Sequence, residues 1–172
     1  MSELVHATFD AHIDHIDHLY DGDTVNKVFF RLPGIEPADG CRLGEIYPDF
    51  FLQSDGLWVH INVRIAGIDC PERHPHHKYP DGTLRDVDEI EREHEAAMEA
   101  REVVADLLMK NDLQFLIRNP QLGKYAERVV AEVWLRDPEK DECISVGERL
   151  LDKGLAYAYE GGKKRVWGKH GA

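Results

Sequence analysis

From Trp58 onward the chain alternates apolar and polar positions. Val59, Ile61, Val63 and Ile65 are separated by His60, Asn62 and Arg64, the period-two pattern of a half-buried strand running from Trp58 to Ile68. Arg64 therefore points away from the apolar face. Val129, Ala131, Val133 and Leu135 repeat the pattern against Arg128, Val130, Glu132 and Trp134, which places Arg128 opposite its own apolar row. Two more strands are predicted. One runs from Val25 to Leu32, after the turn Asp21-Gly22-Asp23-Thr24 and before Pro33-Gly34; the other runs from Leu113 to Arg118 and ends at Asn119-Pro120. Ile90, Ala97, Met98, Val104, Ala105 and Leu108 recur at helical spacing as far as Lys110. Ser145-Val146-Gly147-Glu148 is a capping-box sequence for a short helix closed by Gly154. Residues 33–57, rich in Gly, Pro and Asp, read as a long excursion, and residues 73–85 as a polar loop. The elements predict one α+β, mainly β, barrel-like domain over residues 1–172, without internal repeats.

Composition narrows this picture. The 172 residues suit one domain with a real core. With 21 Lys+Arg against 33 Asp+Glu, the net charge of −12 argues against adhesion to nucleic acid through bulk charge. The charge is uneven, however. Residues 1–26 carry acids and no Lys or Arg, residues 81–106 are strongly acidic, and Lys163, Lys164, Arg165 and Lys169 make the end of the chain basic. Cys41, Cys70 and Cys143 are an odd number, which does not suggest a disulfide framework. No apolar run approaches the roughly 18 residues of a membrane helix, and the acidic start lacks the marks of a secretory leader. The expected setting is cytoplasmic, with no membrane partner and with export left open.

The chemistry that stands out is an acid and arginine constellation. Patterns for a nucleophile elbow, a P-loop or an H-E-x-x-H zinc site are absent. Asp23 follows a glycine turn, and Asp69 and Glu72 lie just past the strand that carries Arg64. Aspartates at such junctions supply hard oxygen ligands for Ca²⁺ or Mg²⁺, arginines present forks that suit phosphate oxygens, and a glutamate can take a proton from water. Together these are the requirements of phosphodiester hydrolysis, whose transition state is stabilised chiefly by charge. Cys70, His74, His76 and His77 cluster, and His12, His15 and His18 fall at every third position. Neither group has paired zinc-ligand spacing, so both read as solvated histidines.

Order and spacing add a family resemblance. Asp21-Gly22-Asp23-Thr24-Val25, then Arg64-Ile65-Ala66-Gly67-Ile68-Asp69-Cys70-Pro71-Glu72, then Lys124-Tyr125-Ala126-Glu127-Arg128, then Gly154-Leu155-Ala156 with Tyr157 and Tyr159, resemble the staphylococcal nuclease family, in particular its bacterial and phage members. The resemblance implies a five-stranded OB-fold barrel with two or three helices and a Ca²⁺-dependent nuclease acting on DNA, RNA or both; the sequence leaves the oligomeric state open, with a monomer expected. It implies that Asp23 and Asp69 ligate Ca²⁺ with Cys70 adding its main-chain carbonyl, that Arg64 and Arg128 grip the scissile phosphate, and that Glu72 activates or orients water. Lys124, Tyr125 and one of Tyr157 or Tyr159 would hold a neighbouring phosphate and sugar. The sequence departs from the family in three places: Cys70 stands where Thr or Ala is usual, Ala126-Glu127 stands where a single glycine is usual, and 41 positions separate Asp23 from Arg64. The last assigns residues 33–57 to an insertion. The alternative function is a catalytically silent nucleic-acid- or protein-binding domain of the same fold.

Overall fold

The computed structural model describes residues 8–32, 50–53, 56–123, 128–137, 142–162 and 167. Among these residues there are nine strands, in chain order β1 (Thr8–His12), β2 (Thr24–Leu32), β3 (Phe50–Gln53), β4 (Gly56–Ile65), β5 (Ile68–Asp69), β6 (Gln114–Leu122), β7 (Arg128–Arg136), β8 (Cys143–Ser145) and β9 (Tyr157–Ala158). Helix α1 spans Val87–Met109 and helix α2 spans Val146–Asp152. A short 3₁₀ turn at Ile16–His18 follows β1.

The strands close on themselves. In the large sheet the order is β3-β4-β2-β1-β6-β7-β8, and β4 also pairs with β7 in parallel. The ring β4-β2-β1-β6-β7 is therefore a five-stranded barrel, with β3 and β8 as extensions beyond it. Following the register once round, from His60 to Phe29, His12 and Gln114 and back through β7, returns about ten residues further along the line of β4, the stagger that barrel closure demands. This is the OB-type α+β architecture expected from the sequence. The interior holds Ala11, Val25, Val28, Phe30, Val63, Ile65, Phe115, Ile117, Ala131, Val133 and Leu135, all buried. Of these, Val63, Ile65, Ala131, Val133 and Leu135 are alternate residues that the period-two reading assigns to the apolar face.

Each helix follows from its sequence signals. Asp86 caps α1 by accepting from the Asp88 N–H, and Ala97, Ala100, Val104 and Leu108 form its buried stripe. Ser145 Oγ accepts from the Glu148 N–H as the capping box requires, and α2 ends before Gly154, whose φ is +71°.

Four local readings change. The strand read as Trp58–Ile68 is two elements, because Gly67, at φ +78°, turns the chain between β4 and β5. Asn119-Pro120 does not end β6; the strand runs to Leu122 through a register shift after Arg118, with Asn119 at φ +51° absorbing the extra residue. Of the excursion at 33–57, residues 33–49, 54 and 55 lie outside the described residues, while Phe50–Gln53 pairs with β4 as a hairpin. Strand β1 and the turn after it arise inside the acidic N-terminal stretch, where no strand was expected.

Candidate active site

The turn before β2 and the end of β4 meet at one corner of the barrel. Asp21 Oδ1 accepts from the Asp23 N–H at 3.1 Å, an Asx turn that fixes the Asp23 backbone. The Asp23 carbonyl accepts from the Ile65 N–H at 2.8 Å, tying the turn to β4. Gly22 lets this turn lie flat against α1 and β5: a Cβ there would sit 2.8 Å from both Ala100 Cβ and Cys70 Sγ. Gly22→Ala is expected to cost about 1–3 kcal/mol by overpacking. A chemical-denaturation midpoint equal to that of the wild type would show that the corner can give.

Around this turn the predicted acids and arginine come together. Arg64 Nη2 lies 2.8 Å from Asp69 Oδ1 and 3.2 Å from Asp23 Oδ2. Asp23 Oδ2 also accepts from the Cys70 N–H at 2.9 Å, and Asp23 Oδ1 accepts from Thr24 Oγ1 at 2.9 Å. Both aspartate side chains are 4% exposed and the arginine 15%, so each charge has given up most of its water and depends on the others. Burial alone would lower the Arg64 pKa; the neighbouring Asp23 and Asp69 outweigh it and hold the pKa above the ordinary value.

Asp21 is a third carboxylate in this corner, which the sequence reading treated as a turn residue. Burial pushes its pKa up to about 6, with the charge of Asp23 and then of Glu72 adding to the effect. Three buried carboxylates around one guanidinium leave a local excess of negative charge. Hard carboxylate oxygens with surplus negative charge are the donor type that Ca²⁺, the cation implied by the resemblance, takes. Among the described residues, no three His, Cys, Asp or Glu side chains are gathered into a ready-made cage; the cation that Asp23 and Asp69 hold is Arg64. Burial, followed by the charges of Asp23, Asp21 and Asp69, pushes the Cys70 thiol far up, leaving it protonated and inert as a nucleophile.

Glu72 follows two residues after Cys70, and its backbone is anchored from α1. Its N–H donates to Glu93 Oε1 at 3.2 Å. Glu93 Oε2 meets Arg85 Nη2 at 2.6 Å, and the two side chains are 5% and 4% exposed. Arg85 also donates to the carbonyls of His76 at 3.2 Å and Trp167 at 3.4 Å. One buried ion pair thus ties together α1, the loop that carries Glu72 and the chain near its end. Neither Glu93 nor Arg85 was singled out from the sequence, although Glu93 lies on the buried stripe of α1, four residues before Ala97.

Arg128 joins the site through strand register. In the parallel β4–β7 pair, Asn62 stands beside Arg128 and Arg64 beside Val130. Arg64 and Arg128 therefore share the outer face of adjacent strands, two positions apart. The Gly123 N–H donates to the Arg128 carbonyl at 2.8 Å. Lys124, Tyr125 and the two residues after them lie outside the described residues.

The tyrosines differ from one another. Tyr157 pairs with Asp69 across the β5–β9 ladder, which brings it to the site, but its ring packs against Trp167 with centroids 4.3 Å apart. Tyr159 N–H donates to the Gly67 carbonyl at 2.9 Å, and its hydroxyl donates to the Gly162 carbonyl at 3.0 Å. The histidines make no cluster of the zinc type among the described residues. His15 caps the 3₁₀ turn by accepting from the Asp17 N–H, and His74, His76 and His77 are exposed in the loop. Among the described residues no helix is long and apolar enough to cross a membrane.

Comparison with known proteins identifies the family. No curated protein matches the chain. Residues 62–170 match the sequence profile of the family described as staphylococcal nuclease homologue. The match begins inside β4 and takes in Arg64, Asp69, Glu72, Arg128 and both tyrosines. Asp23 precedes it in sequence, yet the fold sets its carboxylate against Arg64 within the matched part. A match over more than half the chain, on an OB-type barrel, shows that this protein belongs to the staphylococcal nuclease family, with a nuclease-like or nucleic-acid-binding domain.

Proposed function

We propose that the chain is a Ca²⁺-dependent nuclease that hydrolyses phosphodiester bonds of DNA, RNA or both. The observation that carries this reading is the Arg64 guanidinium, held within 3.2 Å of both Asp23 and Asp69 in a corner almost closed to solvent. A fork fixed by two buried carboxylates is preorganised for phosphate oxygens.

In this reading Asp23 and Asp69 carry the metal, with the Cys70 carbonyl beside them and Asp21 adding negative charge behind. When bound, Ca²⁺ supplies Lewis-acid polarisation of a phosphoryl oxygen. Arg64 and Arg128, on one face of the barrel, take the charge that grows on the equatorial oxygens as the phosphorus becomes five-coordinate. Glu72 accepts or orients the proton of the attacking water, its position set by the Glu93 anchor on its own N–H. Lys124 and Tyr125, with Tyr157 or Tyr159, hold the adjoining phosphate and sugar, and the products end in a 3′-phosphate.

Single-stranded DNA incubated with the protein provides the test. Cleavage is expected in Ca²⁺, its loss in EDTA, and its return when Ca²⁺ is restored. Binding of the oligonucleotide without cleavage would overturn the proposal in favour of a silent binding domain.

A further inference from the structure

The outer face of the barrel continues beyond Arg64, and the family match does not explain what stands there. Between the pairs Val25–Val63 and Val28–Ile61 the register of β2 against β4 slips: Asn26 and Lys27 face the single residue Asn62. Lys27 adopts φ +51°, a left-handed backbone that costs a lysine free energy. Its N–H is fixed by Asn62 Oδ1 at 3.1 Å, and the residue is exposed. Asn62 is also the residue beside Arg128 on β7. Lys27, Asn62 and Arg128 therefore lie side by side across three strands, with Arg64 two residues along the middle one.

Besides Asn62, histidines and an aromatic ring lie near Lys27. Leu19 bridges Val25, which sets His18 across from the bulge. His18 has its protonated form disfavoured by burial and then by the charge of Lys27, with His60 adding to this and Asp14 opposing it. Among the described residues, His18 Nδ1 is buried without a hydrogen-bond partner. Further along the same face, His60 packs on Phe29 with centroids 5.0 Å apart, and Phe29 stacks on His12 at 5.0 Å with planes 13° apart. Lys27 and Arg128, with the His60–Phe29–His12 rings further along, make this stretch locally cationic and aromatic on a chain of net charge −12. Phosphates beside stackable bases are what such a stretch recognises.

We propose that this face is an extended subsite for single-stranded nucleic acid, resting on the nuclease reading above. Lys27 takes a phosphate beyond the scissile one, and the His60–Phe29–His12 stack receives a base. The bulge is what brings Lys27 into line with Arg64. A regular strand would point every second residue of β2 outward and leave Lys27 at the opposite face.

The test compares a dinucleotide substrate with a fluorescein-labelled single-stranded 12-mer, using Lys27→Asn, Lys27→Arg and Phe29→Leu. Asparagine removes the charge while tolerating the left-handed backbone. For Lys27→Asn we expect a KM for the 12-mer raised about 3–10-fold, unchanged kcat, and unchanged kinetics on the dinucleotide. The slope of log affinity against log salt should fall by about 0.7, one phosphate contact on a single strand. Lys27→Arg should keep the wild-type slope. Phe29→Leu should weaken 12-mer binding at unchanged slope, since it removes a stacking surface and no charge. Wild-type affinity and slope in Lys27→Asn would overturn the subsite, and so would an equal loss on the dinucleotide, which would place Lys27 at the scissile phosphate. Affinities are read by anisotropy in a Glu72→Gln background that keeps the 12-mer intact. This arm reports on the subsite even if the chain proves unable to cleave, so the two proposals can fail separately.

Discussion

Replacing Arg64 with alanine is expected to lower kcat/KM on single-stranded DNA by about 10²–10³-fold, the usual loss on removing one preorganised donor to a transition-state oxyanion. It should also destabilise the apo protein. Asp23 and Asp69, both buried and both in contact with Arg64 Nη2, would lose their counter-ion, and breaking a buried pair costs about 3–5 kcal/mol. Melting in EDTA and in Ca²⁺ separates the two effects. The variant should melt well below the wild type in EDTA and recover more than the wild type when Ca²⁺ is added, because the cation then satisfies the stranded carboxylates. Glu72→Gln supplies the contrast: a loss of rate of similar order with little loss of stability, since the Glu72 anchor runs through its backbone N–H. An Arg64→Ala protein that cleaves at the wild-type rate would remove Arg64 from the mechanism.

Glu93→Ala should rank with Arg64→Ala in its effect on stability. It leaves Arg85 with its charge buried and unpaired, and it takes the acceptor from the Glu72 N–H. The expected cost is about 3–5 kcal/mol, which for a domain of this size lowers Tm by roughly 6–20 °C. Glu95→Ala, two residues along the same helix and exposed, should stay within about 0.5 kcal/mol. Glu93→Gln keeps an oxygen for Glu72 while losing the ion pair, so its cleavage rate, measured well below its Tm, should exceed that of Glu93→Ala. Equal melting of Glu93→Ala and Glu95→Ala would show that the Arg85–Glu93 pair holds nothing in place.

Much of the site was readable because its parts obey local rules. Alternation alone places Arg64 and Arg128 outward, and the Asp-Gly-Asp turn and the Asp69–Glu72 run sit at strand ends. What alternation could not reveal is that β4 and β7 lie in parallel contact, since that pairing joins segments more than sixty residues apart. Strand β1 was hidden because Phe9, Ala11 and Ile13, all facing the core, are embedded in a stretch whose acids dominate its composition. Lys27 is placed by a bulge between Val25 and Val28, which the sequence pattern does not reveal. Glu93 was one acid among many in residues 81–106, and net charge treats a buried carboxylate and a solvated one alike. Only its place on the Ala97, Ala100, Val104 stripe distinguishes it, and a charged residue on the apolar stripe of a helix is a signal worth following.

Strand β4 changes partners partway along its length. Gly56–Val59 pair with β3 on one side, and Asn62–Ile65 pair with β7 on that same side. Only the second half belongs to the barrel seam. Backbone amides of the first half that point toward β3 need just the hairpin to fray before they exchange with solvent deuterium, whereas those of the second half wait for the barrel itself to open. One strand should therefore show two protection classes, divided near His60 and Ile61. Arg64 lies in the slow class, on the segment that is the last to let go.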